Sequence, residues 1–206
     1  MMRSICQWLT GFARRQDGST AVEFGLLSAF FVSFMLAVID IGRFAWILNV
    51  DKAATREGAR LAIVSPMVSG GLNADFSSAV AGNGVADGNG QSVPAAAVPA
   101  QTCQSAPAQQ CVASDGSQSA FDQATFHAIA NQMRQFDSRI EDSNVEIVYQ
   151  HVGLGVIGNP YNHDIEPLVT VRLKNMVFHT GALQIFGLGN LTLPSMSTTL
   201  VGEHQQ

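Results

Sequence analysis

Apolar residues are concentrated near the N-terminus of the chain, where an uncharged, strongly apolar run of 16 residues extends from Phe24 to Ile39. This run is slightly shorter than the roughly 20 residues that span a bilayer as a helix. The helical pattern continues beyond it to Pro66, which disfavours helix at the preceding residue. The pattern predicts one continuous helix over residues 19–65, with a membrane-spanning first half and an outer half that packs on protein. A cleaved secretory signal is the alternative, but the apolar core is too long and lacks a small-x-small site.

The segment that follows, residues 66–120, is rich in Gly, Ser, Ala, Asn and Pro and nearly uncharged. Gly-Asn-Gly triplets at 82–84 and 88–90 favour turns, and the stretch 93–107 is rich in Ala and Pro. This composition predicts a long surface loop.

Periodicity returns in residues 121–206. Phe121 to Ile140 is an amphipathic pattern whose apolar face consists of Phe126, Ile129, Met133, Phe136 and Ile140. Strand-like segments follow at Val145–Val152, Leu168–Phe178 and Leu191–Val201, the last interrupted by Pro194. The predicted fold class is α+β, with a long N-terminal transmembrane helix leading into a small antiparallel-sheet domain on which the amphipathic helix packs.

Charge is distributed unevenly between the leader, residues 1–18, and the rest of the chain. The leader has three Arg and one Asp, a balance of +2, whereas residues 19–206 have 8 Lys/Arg and 15 Asp/Glu, a balance of −7. A basic start before an apolar run is typical of a chain inserted with its N-terminus in the cytoplasm. The acidic remainder would repel phosphates and argues against nucleic acid as a partner.

The chain has three cysteines, with Cys6 in the leader and Cys103 and Cys111 eight positions apart in the predicted exported part. In an oxidising compartment the close pair most simply forms a disulfide. A pair of free thiols is the alternative.

Motifs for catalysis or cofactor binding are weak. Gly153-Leu-Gly-Val-Ile-Gly158 matches the dinucleotide-binding pattern, but Asn-Pro-Tyr follows where a helix would have to begin. His163 and Glu166 are only two potential metal ligands in a polar loop. We expect neither an enzyme nor a metal or other cofactor.

The membrane entry carries the strongest signal, because Glu23 places a carboxyl group inside the start of the apolar helix. An ionisable side chain costs roughly 2.5–3.5 kcal/mol at mid-bilayer and less near the interface. Because of this cost, such a residue is by default a candidate for a function. The alternative is an interfacial Glu that stabilises a helix N-terminus.

Gly18 followed by Glu23 resembles the prepilin processing motif of type IV pilins. The longer pattern resembles the TadE-like minor pseudopilins of the tight-adherence (Flp, type IVb/c) pilus assembly system, over Gly18–Ala62. It comprises Ala21-Val-Glu-Phe24, Asp40-Ile-Gly-Arg43 and Ala53-Ala-Thr-Arg-Glu-Gly-Ala-Arg60. The major pilins of such systems are much shorter, and many have Tyr where this chain has Phe24, so the chain is more similar to a minor component.

The resemblance implies cleavage between Gly18 and Ser19 by a prepilin peptidase. Glu23 would then pair with the freed N-terminal amine of a neighbouring subunit, which would fix axial register. Asp40 and Arg43, three apart on one helix face, are predicted to form an ion pair. Small residues further along leave the outer helix thin enough for a neighbouring helix or sheet, namely Ala53, Ala54, Gly58, Ala59 and Ala62.

The expected function is therefore structural: a minor pseudopilin that supports assembly of a tight-adherence pilus. Its expected partners are other pilins and pseudopilins, the prepilin peptidase, the inner-membrane assembly platform and the lipid bilayer. It is expected in the bacterial inner membrane with a periplasmic C-terminal domain, and in the pilus if incorporated. The alternatives are an uncleaved single-pass anchor for an extracytoplasmic binding domain, and an anchored enzyme.

Overall fold

A computed structural model of the protein describes residues 18–73, 76, 90–157, 164–187 and 189–202. The leader up to residue 17, with Cys6, lies outside these residues. So do Gly158 and His163 of the two weak motifs.

The described chain contains two α-helices and eight strands. The helices are α1 (Ser19–Val64) and α2 (Gln123–Arg134). The strands are β1 (Gln101–Gln104), β2 (Gln110–Ala113), β3 (Gln118–Ser119), β4 (Val145–Gln150), β5 (Leu168–Leu173), β6 (Val177–His179), β7 (Asn190–Thr192) and β8 (Met196–Val201). Six strands form one antiparallel sheet in the order β3-β2-β1-β4-β5-β8, and β6 pairs with β7 in a separate ribbon. The predicted α+β class is confirmed.

The chain divides into two compact units. One comprises Met1–Ala45 with His179–Leu191, and the other comprises Trp46–Phe178 with Thr192–Gln206. The six-stranded sheet, α2 and the second part of α1 all belong to the second unit.

The core of the second unit lies where both helices meet the sheet. Strand β5 alternates half-buried and buried positions, as expected for a sheet with one face on a core. A Cβ built on Gly58 of α1 would lie 2.7 Å from Cγ and Sδ of Met133 in α2 and 3.4 Å from Cγ1 of Val171 in β5. The two helices and the sheet are therefore in van der Waals contact at this glycine.

Helix α1 ends close to its predicted boundary, whereas α2 is shorter than predicted. The side chain of Asp122 caps α2 by accepting hydrogen bonds from the backbone N–H groups of Ala124 and Thr125. The helix stops at Arg134, and Phe136, predicted on the buried face, is exposed. The helical spacing that predicted burial of Phe136 does not extend to this residue, because the helix ends before it.

Strands β1, β2 and β3 lie inside residues 66–120, so the prediction of a loop there is wrong for residues 101–104, 110–113 and 118–119. These strands are two to four residues long and rich in Gln, and their few apolar positions give too little alternation to detect. The segment Leu168–Phe178, predicted as one strand, forms two strands, β5 and β6. Asn175 lies between them with a φ of 58°, a left-handed conformation that interrupts a strand and that Asn tolerates.

Candidate functional site

The first half of α1 exposes large apolar side chains on all its faces. Among the described residues, α1 is the one helix long and apolar enough to cross a membrane, and only 6% of its most apolar 18-residue window is buried. The exposed apolar residues include Phe24, Leu27, Phe30, Phe34 and Ile39. Such a surface is opposite to that of a soluble core helix and suits a lipid environment.

The predicted processing and pairing residues lie at the start of this helix. Gly18 is exposed and directly precedes α1, which begins at Ser19. A Cβ on Gly18 would meet no atom within 4 Å. Glu23, the fifth residue of α1, is exposed on the apolar part of the helix. Packing among the described residues therefore gives no reason for a glycine at 18.

Asp40 lies near the outer end of the exposed apolar part of α1 and is itself buried, at 3% exposure. Its carboxylate accepts hydrogen bonds from the backbone N–H groups of Gly181, at 3.2 Å, Ala182, at 2.7 Å, and Leu183, at 2.9 Å. The guanidinium of Arg43 lies 3.6 Å from the same carboxylate. Three amide donors and a cation together compensate the cost of removing this charge from water.

Sequence reasoning singled out Asp40 and Arg43 as an ion pair but missed the three amides. Backbone N–H groups have no side-chain signature, and these are more than 140 positions away from Asp40. Of these three residues, only Gly181 has a residue type that is related to the contact with Asp40, because a Cβ there would lie 3.3 Å from Oδ1 of Asp40. A glycine thus permits this close approach.

The second part of α1 buries one face of small and polar residues. The fully or almost fully buried positions recur at helical spacing and are Asp51, Ala54, Thr55, Gly58, Ala59 and Ala62. The predicted close approach to a helix and a sheet is thus made within the chain itself, at Met133 and Val171.

Asp51 on that face was not identified from the sequence. Its side chain is completely buried, and among the described residues no backbone N–H, hydroxyl or basic side chain donates a hydrogen bond to it. Its polar neighbour is the carboxyl group of Asp137. Burial, followed by the hydrogen bond and charge of Asp137, raises the pKa of Asp51 to about 7, although Arg139 at 3.8 Å opposes the rise. Burial also acts to raise the pKa of Asp137, but its hydrogen bonds to Arg139 and Asp51 outweigh this effect and the pKa is lowered. Asp51 is therefore the member of the pair that is protonated below about pH 7.

The sulfur atoms of Cys103 and Cys111 are bonded, as predicted, and the two residues are directly opposite each other in the β1–β2 pair. Both are completely buried. The disulfide closes the hairpin within the sheet rather than a surface loop.

The glycine-rich segment at 153–158 packs as an irregular turn in its described part. Gly155 has a φ of 109°, and a Cβ there would lie 2.4 Å from the carbonyl oxygen of Asp164. The glycine is thus required by backbone packing, which needs no nucleotide to explain it.

Residues 18–60 match the family model described as TadE-like protein. This confirms the resemblance predicted over Gly18–Ala62 and is consistent with a TadE-like protein of the tight-adherence pilus system. The match contains Glu23, Asp40, Asp51 and Gly58, and it covers the helix rather than the sheet. No curated protein and no solved structure matches the chain.

Proposed function

From the premise that residues 18–60 are a TadE-like region, we propose that the chain is a minor pseudopilin supporting assembly of a tight-adherence pilus. In this role α1 anchors the protein in the inner membrane, with the leader in the cytoplasm and the sheet domain in the periplasm. The role is structural and needs no catalytic group or cofactor.

The observation that carries the proposal is the exposed carboxyl group of Glu23 on an apolar helix, five residues after an exposed glycine. In lipid, a carboxylate and an ammonium group each carry a large desolvation cost, and they offset it only when brought together. Cleavage after Gly18 would create such an ammonium group on Ser19 of each subunit. Pairing between the amine of one subunit and Glu23 of the next would fix the axial position of neighbouring helices.

The proposed partners follow from the proposed role. A prepilin peptidase would act at Gly18-Ser19, and other pilins or pseudopilins would supply the helices that pair at Glu23. The assembly platform of the inner membrane would insert or extract the subunit.

An uncleaved anchor carrying an extracytoplasmic binding domain is the second candidate. It is favoured by the packing of Gly58 against Met133 and Val171, because the small-residue face of α1 is then occupied within the chain. In that case the helix would need no neighbouring subunit at these positions.

Replacing Glu23 by Gln separates the two candidates. We expect Glu23→Gln to insert normally but to reduce surface pili by at least about tenfold, because the neutral amide no longer attracts the ammonium group of the neighbour. Pilus abundance is measured by shearing and immunoblotting, and insertion by membrane fractionation. N-terminal sequencing of the native protein tests the cleavage step.

Glu57→Gln is the matched control, since it makes the same chemical change outside the apolar half of α1. The side chain of Glu57 pairs with Arg60 at 2.8 Å on the protein surface, and such pairs contribute little to stability. Normal pili with Glu23→Gln would refute the pairing role, and a mature chain that still begins at Met1 would refute cleavage.

A further inference from the structure

A short turn lies against the outer end of the apolar part of α1. It comprises Gly181–Gly187 and contains a single 3₁₀ turn, Leu183–Phe186, that ends at Gly187 with a φ of 82°. The carboxylate of Asp40 accepts hydrogen bonds from three consecutive N–H groups at its start. The turn and residues 18–45 of the helix belong to the same compact unit.

The position of Asp40 along the helix determines the depth of this turn in the bilayer. About 20 helical residues at about 1.5 Å each cover the roughly 30 Å hydrocarbon thickness of a bilayer. Counted from Ser19, where α1 begins, these 20 or so residues end just before Asp40. The turn is thus held where the hydrocarbon core gives way to the headgroups.

The composition of the turn suits that level. The chain carries no charged residue from Gly181 to Leu193, and the turn itself includes Leu183, Ile185 and Phe186. On the adjoining helix, Ile39 and Ile41 are 57% and 61% exposed, so apolar surface continues on both sides of Asp40. Apolar segments next to a membrane span favour the boundary between headgroups and acyl chains.

We propose that the turn Gly181–Gly187 is a second membrane contact, resting in the outer headgroup–acyl boundary of the bilayer that α1 spans. The hydrogen bonds that Asp40 accepts from the turn hold it at this depth. With the helix as the first contact and the turn as the second, the end of the β6–β7 ribbon is anchored to the lipid surface. This inference depends on α1 spanning a membrane and not on the pilus role.

Spin labelling of the full chain in liposomes tests the depth of the turn. Gln184 is exposed, so Gln184→Cys gives a labelling site with little risk to the fold when Cys6 is replaced by Ser and the Cys103–Cys111 disulfide is kept. In vesicles of phosphatidylcholine and phosphatidylglycerol, we expect collisions with oxygen to exceed those with a water-soluble nickel chelate. The ratio should be at least about fivefold higher than at Ser114→Cys, an exposed position between β2 and β3.

Equal oxygen-to-nickel ratios at the two positions would overturn the proposal, because the turn would then lie in water. Dilution to one chain per vesicle distinguishes lipid from a second copy of the protein as the covering surface. Protection at position 184 that persists on dilution supports lipid contact, and protection that disappears overturns it. Neither result depends on pilus assembly, so failure here leaves the role of Glu23 standing.

Discussion

Helix α1 presents two different surfaces on one continuous run of 46 residues. Up to Ile41 its large apolar side chains are exposed, whereas from Asp51 onward it buries a narrow face of alanine, glycine and threonine. A helix that exposes large apolar groups on all faces fits lipid, while a helix with one buried face of small residues fits a close protein neighbour. The side-chain size thus distinguishes the membrane half from the domain half.

Two buried aspartates follow the same division. Asp40, at the end of the membrane half, remains compensated by three backbone N–H groups and Arg43. Asp51, in the domain half, faces another carboxylate and is instead protonated below about pH 7. Each buried acid is thus accommodated by a different means, and mutations should affect them differently.

The largest expected effect is overpacking at the contact between α1 and the domain. Gly58→Leu should lower the free energy of unfolding of the domain by about 3 kcal/mol, since even a Cβ there lies 2.7 Å from the Met133 side chain. Gly25→Leu is the matched control in the membrane half, where a Cβ would meet nothing within 4 Å. Thermal unfolding of the full chain in detergent micelles, followed by circular dichroism, measures both. Equal midpoints for the two variants would contradict the assignment of Gly58 to a close contact.

The helix itself was predictable because both of its signals are local: an apolar run and a proline that limits it. The end at Val64 lies one residue from the predicted end for this reason. The sheet was only partly predictable. Strands such as β4 and β5 alternate clearly, but β1 contributes one apolar residue, Cys103, among Gln and Thr.

The site followed the same rule. Glu23, Asp40, Arg43 and the cysteine pair can be singled out as candidates from the sequence, because their signals lie within a few positions of one another or are specific to the residue type. The Asp51–Asp137 pair joins residues 86 positions apart, and an acid between ordinary helix residues gives no sign that it is buried. Tertiary packing supplies that information, and one sequence does not contain it in readable form.

The next effect concerns the pH dependence of stability. With a folded pKa of about 7 against an ordinary value of 3.8, folded Asp51 keeps a proton that the unfolded chain loses. Its contribution therefore makes the domain less stable as pH rises from about 4 to about 7, and no further loss follows above 7. Asp137 has a lowered pKa and changes stability only at more acidic pH.

Asp51→Asn should flatten this slope, because the amide is neutral at every pH and can still donate a hydrogen bond to Asp137. The shift of about three pKa units corresponds to roughly 4 kcal/mol at about 1.4 kcal/mol per unit. At pH 8 we expect the variant to be more stable than the native chain by roughly half of this, about 2 kcal/mol, because burying the neutral amide also costs free energy. Unfolding midpoints between pH 4 and 8 measure the effect. Asp115→Asn, on an exposed turn, is the control and should retain the native slope. An unchanged slope in Asp51→Asn would show that Asp51 is ionised throughout this range.

The smallest effect compares hydroxyl groups in the two halves of α1. Thr55 is buried and its hydroxyl forms a hydrogen bond of 3.1 Å with the hydroxyl of Thr198 in β8. Thr55→Val keeps the shape of the side chain but removes this bond and the 2.9 Å bond that the Thr55 hydroxyl donates to the carbonyl of Lys52 in its own helix. We expect the domain to lose about 1 kcal/mol of unfolding free energy. Ser33→Ala in the membrane half should leave the unfolding midpoint unchanged, because the Ser33 hydroxyl only donates to the carbonyl of Ala29 within its own helix. A double-mutant cycle with Thr198→Val isolates the pair, and a coupling energy near zero would mean that β8 and the helix are not held together by these hydroxyls.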